Sequence, residues 1–435
     1  MGVRTWRIVA RRASVGFGFL AVLGLGQAEA RPVDPTATPY IQLGDFEDTF
    51  GQAFGKVDKT IVGYFDLLQR FTGARLLELP GAERVGQFDT FIREAQSSLD
   101  SIPIPSGSAS IAYTYDPKLE TFVRWERPLT PSLSQNAYTS GRNVLTVGAS
   151  YSYINYKRFD EQPNDNTIFV IGTGISVGGA GDIVQAQYLN FKLKENVVGV
   201  SLQYGLLDNL DFGVFIPIVD LDFKSRSASM FVGQLPNGEF LTLQGKIVPQ
   251  ITDLTEDDFS KLPPELRIPG ISYKKQKTDV GDIVLRTKMF FATLGGFDTG
   301  GQVNVSVPTG DSDNLIGTGS TRVDPRLLVS SSSSKYSAHV NVGPHVDTDD
   351  SDLDRFDYTA GGEVQFGDHV TMLLDQVGRI EYSGDKIKKF EIVPGVKVRV
   401  IGNVVVGFNA IVPLVHEGLT TDFTPNVATD VSYVF

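Results

Sequence analysis

The chain has 435 residues and a formal charge of −12, with 39 Lys and Arg against 51 Asp and Glu, and no cysteine. An acidic balance argues against a nucleic-acid partner, because phosphates are held by Lys and Arg surfaces. Without cysteine there is neither a disulfide framework nor a thiolate metal site, and no motif asks for a cofactor.

Residues 1–30 read as a secretory signal peptide. Arg4, Arg7, Arg11 and Arg12 make a positive start, Ala13 to Gly26 an apolar stretch, and Ala28-Glu29-Ala30 a small-x-small cleavage site. The apolar stretch is shorter than the roughly 20 residues of a membrane-anchoring helix. Cleavage would remove four Arg and one Glu, taking the charge from −12 to −15. Residues 31–44 are rich in Pro and Thr and are expected to be extended or disordered.

Residues 45–102 have a helical texture. Phe46, Phe50, Phe54, Val57, Ile61, Phe65 and Leu68 recur at steps of three and four, and Val85, Phe88, Ile92, Ala95 and Leu99 repeat the pattern. Two such helices can close as an αα-hairpin. This small N-terminal α-helical module is read as periplasmic, with a plug inserted in the barrel as the alternative. A linker, 103–142, follows.

From 143 to 435 the period is two, and the fold class read from it is an all-β transmembrane barrel. Beyond the signal no run approaches a membrane-spanning helix, whereas 45 Gly, 28 Phe, 15 Tyr and a mean hydropathy of −0.05 suit strands apolar at alternate positions. The strand candidates are 143–156, 186–206, 210–223, 280–293, 299–308, 325–333, 336–346, 355–366, 369–381, 388–400, 403–414 and 427–435. Tight turns at Leu207-Asp208-Asn209, Ser334-Lys335, Gly367-Asp368 and Ile401-Gly402 alternate with long connections at 157–183, 224–279, 309–324, 347–354, 382–387 and 415–424. Short turns on one rim and long loops on the other is the asymmetry of a bacterial barrel. The count is about twelve strands, or fourteen if a hairpin within 108–127 joins the wall. The last strand places Val427, Thr429, Val431, Tyr433 and Phe435 on one face, and Tyr433 with Phe435 resembles the signal read by the barrel-assembly machinery.

The same alternation assigns faces. Leu285, Met289, Met372, Leu374, Val396 and Val398 point to lipid. Asp282, Arg286, Lys288, Arg326, His339, His345, Glu363, Asp375, Arg379, Glu391, Lys397 and Arg399 point inward. A charge at the lipid midplane costs about 2–4 kcal/mol, which the inward placement avoids. These charges either line a polar channel or pair and fill the lumen; twelve strands lie between a filled eight-stranded barrel and an aqueous porin.

Other motifs carry little. Gly172-Thr-Gly174 and Gly317-Thr-Gly319 lack the Lys-Ser/Thr of a phosphate loop. The acidic run Asp347 to Asp354 lacks the glycine and closing glutamate of a calcium hand. Four histidines leave a Ser-His-Asp hydrolase open, but no Gly-x-Ser-x-Gly elbow supports one, and the chain is read as a non-enzyme.

The stretches 204–218 (Tyr204-Gly-Leu-Leu-Asp-Asn-Leu to Ile218), 280–288 (Val280-Gly-Asp-Ile-Val to Lys288) and 308–319 (Pro308-Thr-Gly-Asp-Ser to Gly319) resemble the outer-membrane family labelled as a phenol-degradation meta-pathway protein. The likeness covers 143–340 and continues more weakly to 435; the segment 45–100 is not part of it. It implies a barrel and uptake of small, hydrophobic or aromatic compounds, and none of its motifs is catalytic. The expectation is therefore a channel or transporter in a bacterial outer membrane. Its partners would be the lipid, the assembly machinery and a small solute. The alternatives are a filled structural or surface-exposed barrel that binds a partner through its long loops, and third an outer-membrane hydrolase.

Overall fold

The computed structural model describes residues 40–43, 45, 57–76, 83–84, 92, 113–116, 121–124, 128–129, 131–159, 162–176, 182–242, 244–260, 268–382, 388–415 and 417–435. The expected signal peptide and most of the expected second helix lie outside the described residues.

Twelve antiparallel strands close into a barrel. They are β1 (Val144–Phe159), β2 (Asp182–Leu207), β3 (Leu210–Gln234), β4 (Ile283–Leu294), β5 (Phe297–Val307) and β6 (Arg322–Ser332). β7 (Tyr336–Asp347), β8 (Arg355–Phe366), β9 (Val370–Glu381), β10 (Lys388–Ile401), β11 (Val404–Pro413) and β12 (Thr424–Val434) complete it. Pairing of β12 with β1, from Asn426 against Ser152 to Val434 against Val144, closes the ring and leaves no edge to satisfy in lipid. The segments Tyr113–Asp116 and Thr121–Arg124 pair with each other in a separate two-stranded sheet, so the wall has twelve strands and not fourteen.

Chemistry at the turns sets the register. Gly295 and Gly296, both at positive φ (59° and 87°), join β4 to β5 and place Leu294 opposite Phe297. Two successive left-handed residues make the turn whose twist matches that of paired strands.

Alternation then sorts the side chains. Outward positions such as Leu285, Met289, Met372, Leu374, Phe408 and Val427 are exposed, while the charged and amide positions between them are buried. The belt has a sharp upper edge. On β2 the outward residues pass from Leu202, Val200 and Val198 to Asn196, Lys194 and Lys192, and on β3 from Ile218 to Asp220 and Asp222. Asn196 Nδ2 donates to Asp220 Oδ2 there (3.3 Å), where water can solvate the pair. Replacing Leu285 or Met372 with Arg is therefore expected to cost about 2–4 kcal/mol, measured by urea titration in lipid vesicles. Equal costs for Arg at Lys194 would defeat the face assignment.

Above the belt, β2 and β3 run to 26 and 25 residues. The expected long loops 157–183 and 224–279 are largely sheet. Thr167–Ser176 pairs with the start of β2, Phe240–Thr242 with the end of β3, and Ile268–Val280 forms a further strand. Residues Met1–Thr90, Asn164–Phe191 and Lys224–Lys274 form one compact unit, and the remaining residues form the other. The first unit has its own core: Ile168, Val184, Tyr188, Met230, Val232, Val248, Leu254 and Phe259. Phe259 belongs to the short helix α2 (Glu256–Ser260).

Helix α1 (Ile61–Leu76) belongs to this unit. Thr60 Oγ1 accepts from Gly63 N–H (3.0 Å), capping the first turn. Ile61, Tyr64, Phe65 and Leu68, spaced as one helical face, are buried. The Tyr64 ring stacks on Tyr273 at 5.0 Å, and its hydroxyl meets Ser225 Oγ at 3.1 Å. Burial pushes the Tyr64 phenol up to about 12, against the opposing effect of Ser225 and Ser227. Helix α1 thus packs, within the first unit, on Ser225 of β3 and on Tyr273 of the strand Ile268–Val280. Its apolar face finds cover there, which the sequence pattern could not specify.

Candidate functional site

The barrel interior is polar, and one part of it is a segment of the chain itself. Residues 131–141, which the sequence reading left in a linker, run inside the short-turn half of the barrel and are buried at nearly every position. Their hydrogen bonds trace the course. Lys397 Nζ donates to Pro131 O (3.2 Å), and Asn409 Nδ2 donates to Ser132 Oγ. The N–H groups of Leu133 and Ser134 both donate to Asp375 Oδ2 (2.8 and 3.3 Å), and Ser134 Oγ donates to Asp375 Oδ1 (2.7 Å). Gln135 and Asn341 exchange two bonds, Lys288 Nζ reaches Asn136 Oδ1 (3.3 Å), and Ala137 N–H donates to Ser330 Oγ (2.8 Å). Ser140 N–H and Oγ then both donate to Asp211 Oδ2, at the foot of β3. A non-helical backbone in a membrane barrel must find its partners inside, and this one does.

The wall is cut to receive it. A Cβ on Gly205 would lie 1.7 Å from Gly141 O, and one on Gly361 would lie 2.7 Å from Ser134 Oγ. Side chains at those two positions would displace the segment.

The interior divides into a filled sector and an open one. On β6 to β9 the charges pair. Asp357 receives Arg355 Nε (3.0 Å), Arg326 (3.2 Å) and Arg379 (4.0 Å). Arg322 pairs with Asp282 (2.9 Å), and Asp282 also accepts from Gly310 N–H, Thr318 N–H and Thr318 Oγ1, tying down the loop after β5. His345 Nδ1 lies between Asp324 and Arg355. His339 bridges Ser330 Oγ (2.8 Å) and Glu363 Oε2 (2.7 Å). That Ser–His–Glu row has the order of a hydrolytic triad, but Ser330 Oγ accepts from Ala137 N–H and none of the three borders either of the two voids described next.

The open sector centres on the wall of β10, β11, β12 and β1 and, near the short turns, extends over β2, β3 and β4. Two voids stack along it. The one nearer the short turns, about 50 Å³, is bordered by Thr146, Gln203, Arg286, Lys397, Asn409 and Asn426. The one nearer the long loops, about 40 Å³, is bordered by Ile154, Tyr156, Glu391, Ile411, Pro413 and Leu419. Strands β10, β11, β12 and β1 each contribute to both.

The inward residues expected from alternation thus fall into groups. Arg286 and Lys397 border the lower void and Glu391 the upper; Lys288, Asp375 and Lys397 hold the inner segment. Asp282, Arg326, His339, His345, Glu363 and Arg379 belong to the paired sector. Arg399 is buried, and Tyr433 and Phe435 are exposed on the outer face. The sequence reading missed Asp357, Asn409 and the segment itself. The one signal for the segment was the run Ser132-Leu-Ser-Gln-Asn-Ala-Tyr-Thr-Ser140, dense in hydrogen-bonding groups just before β1.

An apolar exterior, a polar interior and a closed ring define the class: a transmembrane β-barrel. No family model and no curated protein matches the chain. Among solved structures it is similar to an outer membrane channel from Pseudomonas putida, at 12% identity and a TM-score of 0.41, over 68% of this chain and 98% of that one. It is similar also to the Pseudomonas putida toluene transporter TodX (7%, TM-score 0.31, 75% and 95% covered). The Ralstonia pickettii toluene transporter TbuX is a third (10%, TM-score 0.30, 68% and 90% covered).

Proposed function

We propose that the protein is an outer-membrane channel for small solutes, with its passage along the wall formed by β10, β11, β12 and β1. The observation that carries this reading is the asymmetry of the lumen: β10, β11, β12 and β1 border both voids, the lower of which reaches on to β4, while the charges of β6 to β9 are paired. The upper void is bordered by Ile154, Ile411, Pro413 and Leu419 together with Lys389, Glu391 and Thr420, a mixed lining; hydrophobic or aromatic solutes are what the family resemblance implies. The proposed partners are outer-membrane lipid around the belt, the assembly machinery at the Tyr433 and Phe435 face, and the solute.

Because the chain has no cysteine, a single introduced thiol can be addressed alone. Asn426→Cys and Ala428→Cys border the lower void, whereas Val427 between them points outward. A bulky cationic methanethiosulfonate should cut planar-bilayer conductance of the first two variants and spare Val427→Cys. Block at all three, or at none, would sink the proposed path. In this reading the long-loop rim is extracellular. An epitope inserted at the exposed turn Pro236-Asn237-Gly238 is then expected to be labelled on intact cells. Labelling only after permeabilisation would invert the topology.

A further inference from the structure

We propose that Asp375 is the latch that sets the size limit of the passage, by holding residues 133 and 134 across the short-turn half of the lumen. The inference rests on the channel reading and adds a positioning residue to it.

Asp375 is fully buried in the middle of β9, and its carboxylate takes three donors from the inner segment: Leu133 N–H, Ser134 N–H and Ser134 Oγ. Two successive backbone N–H groups on one carboxylate form a charge-assisted clamp, roughly twice as strong as neutral hydrogen bonds. The other carboxylate tie, Asp211, takes Ser140 N–H and Oγ at the far end of the segment, and between the two the chain is held by Lys288, by the paired Gln135–Asn341 bonds and by Ala137 N–H donating to Ser330 Oγ. Gly361, opposite Asp375 in the ladder, supplies the space, since a Cβ there would lie 2.0 Å from Asp375 Oδ1. The clamp is therefore a built seat. The clamped pair follows directly on Ser132, the one residue of the segment that borders the lower void, so the position of the segment sets how wide the void can become. Releasing the clamp leaves the barrel wall intact, because Asp375 serves the ladder through its backbone.

The test uses the whole protein in planar bilayers, with polyethylene glycols of graded size as the probe of the cut-off. Asp375→Ala should raise conductance severalfold and admit larger polymers than the native chain does. A second variant, Ser134→Cys with Asp375→Cys, replaces the clamp with a disulfide, and the two side chains already touch at 2.7 Å. Oxidised, it should behave like the native protein; reduced, like Asp375→Ala. Folding is checked by circular dichroism and heat-modifiable migration, and if Asp375→Ala does not fold, the cysteine pair decides. A native cut-off in Asp375→Ala, no response of the pair to reduction, or failure of the pair to cross-link would each overturn the latch. If the native protein conducts and the cut-off is unmoved, only the latch fails. If neither the native protein nor any variant conducts, the channel reading fails with it.

Discussion

Replacing Asp357 by Asn is expected to cost the barrel about 3–5 kcal/mol, the penalty for removing one partner of a buried ion pair. Asp357 is the common acceptor for Arg355 on its own strand β8, Arg379 on the neighbouring β9 and Arg326 two strands away on β6. Its side chain is 6% exposed, so water cannot take over for three guanidinium groups left facing one another. Urea titration in lipid vesicles measures the loss. Adding Arg326→Gln to Asp357→Asn should recover part of it, since one stranded cation is then gone. A cost below about 1 kcal/mol, the value of an exposed pair, would mean that this sector is solvated and not packed.

How much of this was legible beforehand follows from how local each feature is. Faces were readable because strand alternation depends only on neighbours: Leu285 and Met372 had to point out once Arg286 and Asp375 pointed in. Strand number followed from turn chemistry, as at Gly367-Asp368 and Ile401-Gly402. The pairing of inward charges was not readable, because Arg326 meets Asp357 through ring register, 31 residues apart in sequence. The inner segment was harder still. Ser134 and Asp375 are 241 residues apart, and nothing in the spacing of Ser132 to Ser140 distinguishes a lumen-crossing strap from a surface linker. The cover of helix α1 was not legible for a similar reason. An amphipathic face announces that it will be covered, while the identity of the cover, Tyr273 and Ser225, is set by strands that the reading took for loops. Asp282 was expected at the lumen as one charge among others, yet its four bonds to Gly310, Thr318 and Arg322 make it the anchor of a loop.

The remaining large effect concerns selectivity. Arg286 and Lys397 reach the lower void from opposite sides, β4 and β10, with Asp430 as the acid on the same lining. Side chains that line a passage set its ion preference through their charge. Changing both cations to Gln should move the reversal potential in a salt gradient toward cation preference. Gln keeps a donor within reach of Asn304 and Pro131, the present partners of Arg286 and Lys397, so the fold should survive. The paired change Arg322→Gln with Asp282→Asn is the control. Those residues neutralise each other away from the void, and the reversal potential should stay where it was. If the control shifts selectivity as much as Arg286 and Lys397 do, ions cross the paired sector and the proposed path along β10, β11, β12 and β1 is wrong. If neither change moves it while conductance persists, the ions pass through a part of the lumen that none of these four side chains borders.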